Sequence, residues 1–129
     1  VMQGKKNNFE TDIFFFFLSA IDDHIPFKEQ NPDRNERYVI ADHLRAVVIG
    51  IADGVIPSNK DRGSVMRRLI IEITDIAVRQ TGVFKPTIHK LVPSVIEVMN
   101  EGYPYLAEKE SAIISHIESV KKAFLKAKD

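Results

Sequence analysis

Proline and glycine cut this chain into lengths that helices fill. Five of the six prolines, at positions 26, 32, 57, 86 and 104, fall between stretches whose apolar residues recur at helical spacing. A helix has to stop at such a residue, because proline lacks an N–H and its ring clashes with the preceding turn. The first stretch runs from Glu10 to about His24, with Glu10, Thr11 and Asp12 suited to a helix N-terminus. A polar link, Lys28 to Asn35, leads to a second stretch, Arg37 to about Asp53. There Ile40, Leu44, Val47, Val48 and Ile51 form the apolar stripe, Asp33 or Asn35 can cap the start, and Gly54 stands where a left-handed stop residue belongs.

A loop from Val55 to Asp61 precedes the third stretch, Gly63 to Gln80, striped by Met66, Leu69, Ile70, Ile73 and Ile76. Arg68, Glu72, Asp75 and Arg79 lie on its other side, and Gly82 ends it. The fourth stretch, about Thr87 to Asn100, contains Pro93, which predicts a break near Val92. The fifth, Tyr105 to Lys126, carries Leu106, Ile113, Ile117, Val120 and Phe124, with Ile114 widening the stripe. The pattern predicts an all-α bundle of about five helices, and 129 residues suit one helical domain.

Composition removes several function classes. Lys plus Arg number 18 and Asp plus Glu number 18, which argues against a protein that coats polyanions. Cysteine is absent, so disulfides, zinc knuckles, iron–sulfur clusters and thiol nucleophiles are excluded. The opening residues carry no apolar signal-peptide core, and the longest apolar run, Ile13 to Leu18, is far short of the ~20 residues that span a bilayer. The expectation is a soluble intracellular chain with no membrane contact. The four histidines lack the spacing of a metal motif. Neighbours such as Asp42 and His43 point about 100° apart on a helix and share one ion poorly. With no P-loop, GxGxxG or GxSxG, no catalytic, cofactor-binding or metal-binding residue is assigned.

Two segments stand out. Phe14, Phe15, Phe16 and Phe17 are consecutive and on a helix sweep about 300° around its axis. Either that helix is buried on every side, or part of its surface belongs against another domain. The second segment is Gly54 to Gly63, which feeds a helix N-terminus bearing Arg67 and Arg68. Lys60, Arg62, Arg67 and Arg68 against Asp61 leave a local charge of +3. Free N–H groups at a helix start beside several cations suit an anion, and the Asn59 amide can both donate and accept at a base edge. The plain alternative is an ordinary loop with an Asx-turn at Asn59 and solvated arginines.

In this region the residues resemble alanyl-tRNA synthetases. Ile40-Ala41-Asp42-His43-Leu44-Arg45 is similar to that family's IADH-hydrophobe-R helix. Ala52-Asp53-Gly54-Val55-Ile56-Pro57-Ser58-Asn59 resembles its ADG-x-x-P-S/D-N loop, and Arg62-Gly63 with Val65-Met66-Arg67-Arg68 resembles its RG-Y-V-L-RR segment. Asn8-Phe9-Glu10-Thr11-Asp12-Ile13-Phe14, Lys90-Leu91-Val92-Pro93 and Val95-Ile96-Glu97-Val98-Met99 extend the likeness in the same order along nearly the whole chain.

The resemblance implies the start of the helical tRNA-recognition domain of a cytoplasmic class II ligase, a piece of a longer enzyme that attaches alanine using ATP. The catalytic motifs that use ATP and Mg would precede Val1, with residues 1–24 at the junction and Phe14 to Phe17 facing the catalytic domain. An editing domain with a Zn site would follow Asp129. The isolated piece would be inactive. The partner implied is the acceptor stem of tRNA-Ala, whose G·U wobble pair the family reads from the minor groove. Asn59 occupies the position of the family's wobble-reading asparagine, and the aspartate that works with it would lie beyond residue 129. Lys60, Arg62, Arg67 and Arg68 would contact phosphates or ribose.

Departures from the family pattern are Ser64 in place of an aromatic, and Ile71 and Glu72 where two basic residues are usual. Val120, Lys121 and Lys122 also stand where the family is commonly acidic. The Ile71 and Glu72 changes replace two positive charges with an apolar residue and a negative one, and so weaken the expected electrostatic contribution. The other reading they leave open is a divergent helical interaction module that has lost tRNA specificity. His43 reads either as a buried histidine bonded to a neighbouring helix or as a direct RNA contact, and Asp42 and Arg45 as partners of each other or across helices.

Overall fold

The computed structural model describes residues 18–21, 23, 36–81, 88–100 and 102–128. Residues 18–21 are helical. The chain then forms α1 (Glu36–Ala52), α2 (Asp61–Thr81), a 3₁₀ turn (Ile88–Leu91), α3 (Val92–Met99), a second 3₁₀ segment (Pro104–Lys109) and α4 (Glu110–Lys128). No strand occurs among the described residues, as the all-α expectation requires. The Phe14 to Phe17 run, the caps proposed at Asp33 and Asn35, and the Gly82 stop lie outside the described residues. Leu18 and Ile21, at the end of the first expected helix, are buried.

α1 and α2 form the framework of the fold, and three cross-connections show that they run antiparallel. Arg79 and Gln80 near the end of α2 reach Glu36 at the start of α1, at 2.8 and 2.6 Å. Midway, His43 Nε2 lies 2.6 Å from Glu72 Oε2. At the far end Gly50 faces Met66, whose methyl group would collide with any β-carbon there. The apolar stripes read from the sequence meet between these connections. Ile40, Leu44, Val47, Val48, Ile70 and Ile73 are all at most 1% exposed. Each such side chain contributes roughly 1.5–3 kcal/mol by leaving water. Thr74 shares this core, and its hydroxyl donates to the Ile70 carbonyl at 2.9 Å, which removes the penalty of burying it unpaired.

α2 begins at Asp61 rather than at Gly63. The Ser64 N–H already bonds the Lys60 carbonyl at 3.2 Å, so the helical ladder starts before the glycine and Gly63 lies within the first turn. The break expected near Val92 falls there: a 3₁₀ turn gives way to α3, with Pro93 in the first helical positions, where a missing N–H matters little.

α4 corrects one expectation. Leu106, Ile113 and Ile117 are fully buried, yet Val120 and Phe124 are only half-buried. The inner line continues through Lys121 and Leu125, each 6% exposed, at the four-residue spacing set by Ile113 and Ile117. Lys121 can take a core position because its aliphatic stem packs while its Nζ reaches Glu118 Oε1 at 2.6 Å. His89 Nδ1 stands 3.0 Å from the same oxygen, without hydrogen-bond geometry.

Candidate nucleic-acid interface

The loop between α1 and α2 is tied down at both ends by its own backbone. Gly54 has φ 106°, its N–H donates to the Ile51 carbonyl, and the Val55 N–H donates to the Gly50 carbonyl, both at 3.0 Å. This pair of bonds is a Schellman stop, with the left-handed residue at the glycine the sequence put there. Val55 then packs against the core and anchors the exit from α1.

At the other end, the Ser58 N–H donates to the Gly63 carbonyl at 3.1 Å. The Ser58 hydroxyl accepts from the Lys60 N–H at 3.3 Å and lies 3.1 Å from the Lys60 carbonyl. Gly63 is buried here, and a β-carbon on it would run into the Ser58 hydroxyl and the Ile56 carbonyl. Glycine at this point is therefore a matter of space, since the loop folds directly onto the first turn of α2. Asp61 takes a left-handed φ of 54°, a conformation that Asp tolerates better than most residues. The Ser64 hydroxyl donates to the Asp61 carbonyl at 2.7 Å.

A third tie comes from the second 3₁₀ segment. The Tyr105 hydroxyl donates to Asp53 Oδ1 at 2.9 Å, at the junction of α1 and the loop. That bond, with smaller contributions from desolvation and the Asp53 charge, pushes the Tyr105 phenol above its ordinary range.

Asn59 stands near the apex of this braced loop. It is exposed, and its side chain hydrogen-bonds to no described residue. The Asx-turn alternative is thus not realised; Ser58 performs the local turn bonding instead. Lys60, Arg62, Arg67 and Arg68 are exposed too, and none forms an ion pair with a described residue. They do not converge on one point. At ~100° per residue, Arg62 leaves the helix roughly 140° from Arg67 and 120° from Arg68. Exposed Val65 stands between Arg62 and Arg68, about 60° from each.

Of the residues that break the family pattern, Ser64 bonds the first turn of α2, Ile71 is half-buried, Glu72 is taken by His43, Val120 packs against the core and Lys121 reaches Glu118. His43 is bonded to the neighbouring helix, as its first reading required, although its side chain remains 20% exposed. Asp42 and Arg45 pair with each other, loosely, at 3.9 Å. The Glu72 connection and the Tyr105–Asp53 bond are absent from the sequence reading, because each depends on the register between separate elements. Among the described residues no group of three or more His, Asp or Glu side chains could hold a metal ion. No helix among them is long and apolar enough to cross a membrane.

Residues 1–127 match the family model described as tRNA synthetases class II (A). The alanine–tRNA ligase of Mycoplasma capricolum is 40% identical over 98% of this chain, which covers 15% of that enzyme. The alanine–tRNA ligase of Streptococcus mutans is 37% identical over the whole chain, again 15% of the enzyme. That of Salinibacter ruber is 34% identical over 97% of the chain and 14% of the enzyme. The chain therefore spans about 15% of the length of the curated relatives it matches.

Proposed function

Since the chain belongs to the class II alanyl-tRNA synthetase family, we propose that it is the part of an alanine–tRNA ligase that holds the acceptor stem of tRNA-Ala and helps read its G·U wobble pair. In a G·U pair the guanine amino group has lost its usual partner, and it faces a wide, shallow A-form minor groove. The Asn59 carbonyl accepts from that amino group. Lys60, Arg62, Arg67 and Arg68 contact phosphate or ribose and fix the register in which Asn59 arrives. The observation that carries this reading is the loop itself: Asn59 is exposed and hydrogen-bonded to no described residue, on a segment pinned by Gly54, Ser58 and Gly63. Little ordering has to accompany binding, which favours discrimination.

In this proposal the larger ligase attaches alanine with ATP in the cytoplasm, and its catalytic domain meets this chain through Phe14 to Phe17. ATP, Mg and Zn would act elsewhere in such an enzyme. The described residues offer no fitting cluster of metal ligands. Residues 1–129 then act as one helical unit.

The test compares two acceptor-stem RNA hairpins, one with G·U and one with G·C at the wobble position, bound to the 129-residue chain. The G·U hairpin should bind roughly 2- to 12-fold tighter, the worth of one neutral hydrogen bond (~0.5–1.5 kcal/mol). Asn59→Ala should remove the preference and leave affinity for the G·C hairpin unchanged. Equal binding, untouched by Asn59→Ala, would assign the chain instead to a helical interaction module without tRNA specificity.

A further inference from the structure

Beyond its first residue α2 carries two carboxylates, Glu72 and Asp75, which leave the axis within about 40° of Arg68, and both are engaged elsewhere. Asp75 Oδ2 accepts from Arg79 Nε at 3.1 Å. Glu72 Oε2 lies 2.6 Å from His43 Nε2 on α1. Glu72 also follows Arg68 by four residues, the spacing at which opposite charges on one helix meet. It has two partners within reach and takes the one on the neighbouring helix. The charged neighbours of His43 on its own helix, Asp42 and Arg45, are loosely paired with each other.

We infer that His43 sets the affinity of this surface for the RNA backbone by holding Glu72 away from Arg68, which leaves the Arg68 guanidinium free for a phosphate. His43 is a positioning residue: it acts through Glu72 and touches no RNA. The inference rests on the RNA-contact reading above and deepens it, by naming what keeps one phosphate-binding cation available on a chain of zero net charge. Without the imidazole, the Glu72 side chain turns along its own helix and pairs with Arg68. One cation is then withdrawn from the surface.

The experiment measures binding of the 129-residue chain to the G·U hairpin across a salt series, for wild type, His43→Ala, Glu72→Gln and the double variant. His43→Ala should weaken binding roughly 3- to 10-fold and lower the slope of log K against log salt by about one. Adding Glu72→Gln should restore both. Arg68→Gln should weaken the wild type yet add nothing to His43→Ala. His43→Leu keeps the packing volume without the donor, and it carries the same expectation if the alanine variant folds poorly. Without RNA, the Arg68 Nε–H resonance should move in His43→Ala and return in the double variant.

An unchanged affinity and slope in His43→Ala would overturn the inference. So would a loss that Glu72→Gln does not restore, with the Arg68 resonance unmoved. If the wild type binds no RNA, the function proposed above fails, while the Arg68 resonance still decides whether His43 governs Glu72.

Discussion

Gly63 and Gly54 hold the loop for different reasons, and their substitutions separate the two. At Gly54 the obstacle is the backbone. A side chain at φ 106° is strained although no atom blocks it, and Gly54→Ala should destabilise the chain by about 1 kcal/mol. At Gly63 the obstacle is the Ile56 carbonyl and the Ser58 hydroxyl, so Gly63→Ala must lift the loop off α2. Urea unfolding should show a loss of about 1–3 kcal/mol, and the G·U preference should fall because Asn59 moves with the loop. Asn59→Ala touches only solvent and should stay within about 0.5 kcal/mol of wild type. A Gly63→Ala chain with full stability and an intact preference would contradict the packing described.

Tyr105 adds a dependence on pH at the same scale. Its phenol is raised in the folded chain, chiefly by donating to Asp53, so the folded state holds this proton more tightly than the unfolded one. The bond's contribution is complete below the unfolded phenol value and disappears as pH rises through the folded one. Denaturation midpoints should therefore fall in alkali more steeply for wild type than for Tyr105→Phe; parallel curves would remove the bond from the account.

At the scale of elements, α1 and α2 fold as two apolar stripes closed on each other. Leu44→Ala should cost about 2–5 kcal/mol by leaving a cavity in that seam, whereas Ile56→Ala, at a side chain 63% exposed, should cost almost nothing. Urea titration of both variants checks the contrast. These two helices were legible in the sequence because their stripes repeat at helical spacing and, for α1, Gly54 marks the stop. α4 was legible near its end but not at its start, where Pro104–Lys109 is 3₁₀ and the α-helix begins at Glu110, nor in register. Lys121 is a charged residue on the inner line, and a reading that sorts residues by polarity turns that line toward Val120 and Phe124. The Glu118 oxygen 2.6 Å away helps make the buried ammonium tolerable. The tie between His43 and Glu72 spans 29 residues and depends on how two helices align, which no local pattern encodes. The Asn59 amide is legible as a base-edge donor and acceptor from its place in a basic loop, but the residues alone leave an ordinary loop equally open, and the wobble-reading role comes only from the family resemblance.

For the molecule as a whole, neutrality conceals an uneven use of charge. The 18 basic and 18 acidic residues cancel, yet Glu36, Glu72 and Asp75 are committed to Arg79, Gln80 and His43, and Asp53 to Tyr105. Lys60, Arg62, Arg67 and Arg68 have no such commitment to any described residue. A chain built this way should bind RNA weakly and show only a modest salt dependence, about one unit of slope in log K against log salt for each cation that meets a phosphate, because its attraction comes from a few cations on a molecule without net charge. The central claim is that Asn59, on its braced loop, distinguishes one base pair. Affinity for the G·U and G·C hairpins, measured side by side for wild type and Asn59→Ala, tests it most directly. The account predicts a G·U preference of several-fold that vanishes with Asn59; equal affinity for both hairpins in the wild-type chain would contradict it.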